Sequence, residues 1–142
     1  MDYRQTEFGF LLQMFKGEEI FSNLVQFAKD QNLQSGHISG IGAVKDITVG
    51  YFDTEKKGYP KNQFKATHEL LSCKGNFSLN DGEPFPHCHI VFCDTEQRAF
   101  GGHLFSATVA VTAEFYIVTD NQKVVREFND EIGLALWDLD KK

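Results

Sequence analysis

Three histidines, His87, His89 and His103, stand at intervals that let their imidazoles act on one ligand. His87 and His89 form an H-x-H pair. In a strand, residues i and i+2 share a face, so both imidazoles point the same way. The polar stretch Asp94-Thr95-Glu96-Gln97-Arg98 reads as a turn, and Ala99-Phe100-Gly101-Gly102-His103-Leu104 follows it. A hairpin centred on Glu96 sets Asp94 opposite Arg98, Val91 opposite Gly101 and His89 opposite His103. Cross-strand partners share a face with Cβ atoms about 5 Å apart. Three imidazoles then converge on one point. Such a facial three-nitrogen site suits zinc or another divalent transition metal with an open coordination position. Ligation needs neutral imidazoles, so binding is expected to weaken as pH falls through the histidine range around 6.5. A slip of one residue would turn His103 to the other face.

The other candidates are weaker. His37 alternates with Ser35 and Ser39 and reads as solvated, while His68, before Glu69 in a strand, is a lesser candidate for lining the same site. Glu69 interrupts an apolar strand, and Glu114 lies mid-strand on a polar face. Near a metal, either carboxylate could act as a general base or orient a ligand histidine, so both are candidate catalytic residues. A solvated structural glutamate is the alternative for each. Strand parity sends Cys88 away from His87, and Cys88 and Cys93 read as core thiols. Arg98 and Arg126 read as surface charges. Gly40-Ile41-Gly42 lacks the third glycine and the following helix of a phosphate loop.

The elements that must position these residues are mostly strands. Glu7 to Phe15 reads as the first strand, ended by Lys16-Gly17. Glu18 and Glu19 open a helix, where acidic residues complement the helix dipole. Ile20, Leu24, Phe27 and Ala28 make its apolar stripe, and end signals come near Gln31-Asn32. Ile38 to Phe52 is strand-like, and Gly40 and Gly42 within it suggest a bulge or a close backbone approach. Phe64 to Cys73 and Gly75 to Ser78 read as two strands, Asn80-Asp81-Gly82 as a turn, and His87 to Cys93 as a short strand. Ala107 to Val118 is the longest, with Ala107, Val109, Val111, Ala113, Phe115 and Ile117 on one face. Asp120-Asn121 turns the chain, Val124 to Phe128 returns it, and Leu134 to Leu139 forms an apolar tail around Trp137. Runs of strands with one helix indicate the α+β class, a mainly antiparallel, curved sheet with one main helix packed on it.

With 142 residues the chain is the size of one domain, 1–142, with a core over about 8–136. Its 14 basic against 20 acidic residues give a charge of −6, which disfavours a phosphate backbone as partner. No apolar run reaches the roughly 18 residues of a membrane span. Met1 to Gln5 do not open a signal peptide. Three cysteines, odd in number and without CxxC spacing, fit reduced thiols in a cytoplasm.

Several motifs together carry a resemblance. They are Ser39-Gly40-Ile41-Gly42-Ala43-Val44, Gly50-Tyr51-Phe52-Asp53, Glu69 to Ser78, Pro84-Phe85-Pro86-His87-Cys88-His89-Ile90-Val91 and Gly101-Gly102-His103-Leu104. The chain resembles the plants-and-prokaryotes conserved domain, also called the domain of unknown function 296. The H-x-H followed by G-G-H-L is the most specific part. The resemblance implies an antiparallel sheet packed with helix and assembly as a homotrimer. It also implies a kinship with proteins labelled DNA-binding, which in plants carry AT-hooks. This chain has no Arg-Gly-Arg-Pro hook and no basic tail, so the grip on a minor groove is missing. The fold is further similar to that of acetolactate decarboxylase, a zinc enzyme with an H-x-H pair and a third downstream histidine. His87, His89 and His103 match that ligand set in type and order, with a longer gap before the third, so ligation carries over better than the reaction. Two readings follow. One is a metal-binding homotrimer, with zinc or a similar ion serving lyase or hydrolase chemistry on a small molecule. The other is a non-enzymatic oligomerisation or regulatory module, using exposed aromatics such as Tyr51, Phe52 and Phe85 for contacts.

Overall fold

In the computed structural model, which describes residues 1–119 and 122–141, strand follows strand with one helical interruption. The elements are β1 (Asp2–Thr6), β2 (Gly9–Phe15), α1 (Ile20–Asp30), β3 (Gly36–Gly50), β4 (Lys61–Phe64), β5 (His68–Asn80), β6 (Glu83–Cys93), β7 (Ala99–Val118), β8 (Val125–Asn129) and β9 (Leu134–Asp138). β3 pairs with β5, β5 with β6, β6 with β7 and β7 with β3, all antiparallel, so these four strands close a ring. β1 and β2 extend the far end of β7, β4 borders β3, and β8 with β9 attaches to β5. The β5–β8 pairing is parallel, so the mainly antiparallel sheet is mixed.

Local chemistry fixes the registers that matter. Asp81 and Gly82 both take positive φ, at 51° and 81°, which is the two-residue hairpin geometry whose twist matches the strands it joins. It sets Asn76 opposite His87 and Lys74 opposite His89. At the next turn, Asp94 Oδ1 accepts from the backbone of Glu96 at 2.9 Å and of Arg98 at 3.0 Å. Arg98 Nε donates back to Asp94 Oδ2 at 2.8 Å.

The helix buries Ile20, Leu24, Phe27 and Ala28 completely, as its spacing predicts. Glu18 and Glu19 precede the first turn rather than lying in it. Glu18 pairs with the N-terminal ammonium. Glu19 is the N-cap, accepting from Phe21 N at 3.0 Å and Ser22 N at 2.7 Å. It also accepts from Ala107 N at 3.0 Å, which pins the helix to β7. The helix end falls at Gln31, as expected. The stripe packs against inward residues of β6 and β7, with Cys88, Ile90, Phe92, Leu104, Ala107 and Val109 in the same core.

Four expectations are corrected. The N-terminus forms two paired strands, with β1 preceding the first strand read. The division read at Lys74 is absent, and β5 runs unbroken from His68 to Asn80. Val111 is 65% exposed, because the β3–β7 register shifts between Gly42 and Val44 and breaks the inward alternation. Val125–Asn129 pairs with β5 and β9 rather than returning on β7. The Asp120-Asn121 turn lies outside the described residues. The expected irregularity at Gly40 and Gly42 is present, as a register shift against β5. No helix of the described residues is long and apolar enough to cross a membrane.

Candidate metal centre

The β6–β7 hairpin has the register read from the sequence: His89 lies opposite His103, and Val91 opposite Gly101. Parity then sorts the side chains. Cys88, Ile90, Phe92 and Leu104 enter the core, so His87, His89 and His103 stand on the outer face of the ring. Their ring centroids are 5.1 Å apart for His87 and His89, 5.0 Å for His87 and His103, and 5.6 Å for His89 and His103. One nitrogen from each can be chosen so that all three lie within 4.8 Å of one another. His89 is exposed; His87 and His103 are half-buried.

The surroundings of the three rings differ. Tyr59, from the segment between β3 and β4, lies 4.8 Å from the His103 ring at a tilt of 36°. Phe105 packs edge-on against His103 at 4.9 Å. His103 Nδ1 is buried with no hydrogen-bond partner among the described residues. A buried polar nitrogen without a partner is costly, and a bound cation is one way to satisfy it. His87 instead meets Arg126, whose Nη2 lies 3.3 Å from His87 Nδ1. Arginine can only donate, so this nitrogen accepts, the ring's proton sits on Nε2, and ligation through Nδ1 takes the place of the Arg126 contact.

Burial pushes His87 down to about 4, helped by the positive charge of Arg126 and by His89. Burial also lowers His103 to about 4, with His87, His89, Arg126 and Lys61 adding to it. Both rings are therefore neutral at pH 7, the form that ligates metals. Three imidazoles, one with an orphaned nitrogen, fit a divalent transition ion by donor type and number.

Arg126 corrects a sequence expectation. Arg98 is a surface charge, paired with Asp94 and Glu96. Arg126 is half-buried and fixed on every side. Nε donates to Ser78 Oγ at 2.7 Å, Nη1 to the Ala135 carbonyl at 2.9 Å and Nη2 to Asn76 Oδ1 at 3.2 Å. The Phe85 ring lies 5.2 Å from its guanidinium carbon. Burial lowers its pKa, while Tyr59 acts in the opposite sense. It gets there through the parallel register Asn80 to Arg126, a long-range pairing with no local signal in the sequence.

The remaining candidates lie elsewhere. Glu69 is exposed and pairs with Cys93 at the far end of β6. Glu114 is exposed, opposite Gln13 and Ile41. The structure does not bring either carboxylate to the histidines. His68 is a core residue, holding the Ala66 carbonyl through Nδ1 at 2.8 Å and packed against Phe64 and Phe92. His37 is exposed, as expected. Cys73, Cys88 and Cys93 are buried free thiols, and Cys88 is pushed up by its contact with Cys73 and by burial.

Comparison with known proteins agrees with this architecture. Over 99% of this chain and 98% of the other, the fold superposes on a candidate DNA-binding protein from Bacteroides thetaiotaomicron with a TM-score of 0.95 and 27% identity. A metal-containing protein from Archaeoglobus fulgidus is 36% identical, with a TM-score of 0.83 over 96% of this chain and 99% of that one. The curated relative it matches is a bifunctional protein GlmU from Synechococcus, 25% identical over 111 residues. That match covers 78% of this chain but only 17% of the length of the relative. The family model for the Plants and Prokaryotes Conserved (PCC) domain matches residues 1–120, more than four-fifths of the chain, and the chain belongs to that family.

Proposed function

We propose that this chain is a metal-binding protein that holds a divalent transition ion, zinc or a similar one, on His87, His89 and His103. The observation that carries the reading is the convergence of three imidazole nitrogens within 4.8 Å on a closed ring of strands. The metal-containing Archaeoglobus relative supports it. A bound ion of this kind supplies Lewis acidity at its open position. The residues of this chain do the rest. The two half-buried rings stay neutral, His87 ligates through Nδ1 once the Arg126 N–H on it is released, and Tyr59 and Phe105 hold the His103 plane. Exposed His89 marks the solvent side from which a small molecule enters.

Assembly as a homotrimer is part of the proposal. Ile41, Val111 and Tyr116 are 57%, 65% and 66% exposed, large apolar side chains of the kind that copies cover on assembly. Direct DNA binding ranks last, because a net charge of −6 disfavours a phosphate backbone as partner. Elemental analysis of untagged wild type and His87→Ala tests the metal reading. About one zinc, iron or nickel per chain in wild type and none in the variant is the expected result. No metal in either, after reconstitution, would leave the non-enzymatic module as the better reading.

A further inference from the structure

We propose that the ligand of this site is a small organic carboxylate, its acid group shared between the open metal position and Arg126. The inference rests on the metal reading above and goes beyond it to the class of ligand. Its ground is an imbalance of charge. Three imidazole ligands bring no negative charge, so a divalent ion keeps both its charges, and the group contains no carboxylate. Beside it stands Arg126, whose partners are a hydroxyl, a backbone carbonyl, an amide oxygen and an imidazole nitrogen, all uncharged. No carboxylate pairs with Arg126 among the described residues. A half-buried guanidinium next to a dication, with no counter-charge from the protein, is a site built for an anion from outside.

The geometry favours one that arginine can grip. Nε, one N–H of Nη1 and one of Nη2 are committed to Ser78, Ala135 and Asn76, so the guanidinium plane is fixed. One Nη1 N–H is left over, and the Nη2 N–H on His87 makes the weakest of the four contacts by length. Two donors on a fixed planar group match the two oxygens of a carboxylate. Phe85 beneath Arg126 and Tyr59 against His103 give apolar walls, which suit an organic body better than inorganic phosphate. Arg126 also lies beyond the residues 1–120 matched by the family model, so this half of the site comes from the C-terminal strands of this chain.

The test uses cobalt(II) as a spectroscopic stand-in for the metal, loaded into full-length wild type and Arg126→Gln. Visible absorption is followed as acetate, acetamide or phosphate is added. In wild type, acetate is expected to shift the cobalt bands with an affinity at least about tenfold above that of neutral acetamide. Arg126→Gln is expected to keep one cobalt per chain and to lose about tenfold or more in acetate affinity. Acetate affinity within twofold of wild type in the variant would overturn the proposal. So would a response to acetamide equal to that for acetate, or a tighter response to phosphate. The wild-type comparison needs no variant, so it decides the matter even if Arg126→Gln fails to fold. Wild type that takes up no cobalt would overturn the metal reading itself, and this proposal with it. The other adverse results leave the metal reading standing.

Discussion

Gly75→Ala should damage the metal centre from behind. Gly75 lies on β5 opposite Cys88, and a Cβ there would sit 2.2 Å from the His87 carbonyl oxygen, 2.7 Å from Cys88 Sγ and 2.9 Å from Cys88 Cα. Two of those atoms are backbone, so no rotamer relieves the clash. Reaching even a 3.0 Å contact moves the carbonyl by roughly 0.8 Å, and overpacking of this kind costs about 1–3 kcal/mol. For a domain of this size that lowers Tm by about 3–10 °C. The displaced carbonyl belongs to a ligand histidine, and such sites tolerate only about 0.5 Å of misplacement. Zinc affinity should therefore fall by about tenfold or more. Gly58→Ala is the control, since its Cβ would meet nothing closer than the Lys56 carbonyl at 3.7 Å. Urea denaturation of the metal-free proteins reads the stability, and zinc titration against a competing chelator reads the affinity. A Gly75→Ala protein matching Gly58→Ala in both would refute the reasoning.

Further predictions rest on other parts of the structure. Glu19→Ala removes the acceptor for Phe21 N, Ser22 N and Ala107 N, and should cost about 1–2 kcal/mol in denaturant melts; no loss would deny the cap. His87 and His103 have folded pKa values of about 4, below an unfolded value near 6.5. The unfolded chain therefore binds their protons first, so the stability these rings contribute is whole above pH 6.5 and is lost as pH falls toward 4. Melts of metal-free protein should fall more steeply over that window in wild type than in His103→Asn, and parallel curves would contradict this. Glu69→Gln and Glu114→Gln should keep wild-type zinc stoichiometry, since neither carboxylate stands with the histidines; loss of zinc in either, by elemental analysis, would show otherwise.

What the sequence made legible was local. The β6–β7 register could be read because Asp94 and Arg98 close the turn with their own side chains, and parity then aligns His89 with His103. The helix was legible from its stripe and its end signals. Lys74 looked like a gap between two strands, yet β5 is continuous there, and the next residue is glycine because β6 passes too close for a side chain. Val111 fitted the inward alternation, which a register shift with β3 undoes at that point. Arg126 read as a surface charge because its neighbours, Ser78, Asn76 and His87, are 39 to 50 residues away and reach it through a parallel pairing. Glu69 and Glu114 had the right chemistry, but their pairings set them beside Cys93 and Gln13 rather than beside the imidazoles.

The most direct test of the central claim is X-ray absorption at the zinc edge on the reconstituted full-length protein. Ligation by His87, His89 and His103 predicts three imidazole nitrogens at about 2.0 Å with one further light ligand, and no sulfur. A sulfur shell at about 2.3 Å, or a shell of oxygens without imidazole scattering, would contradict it.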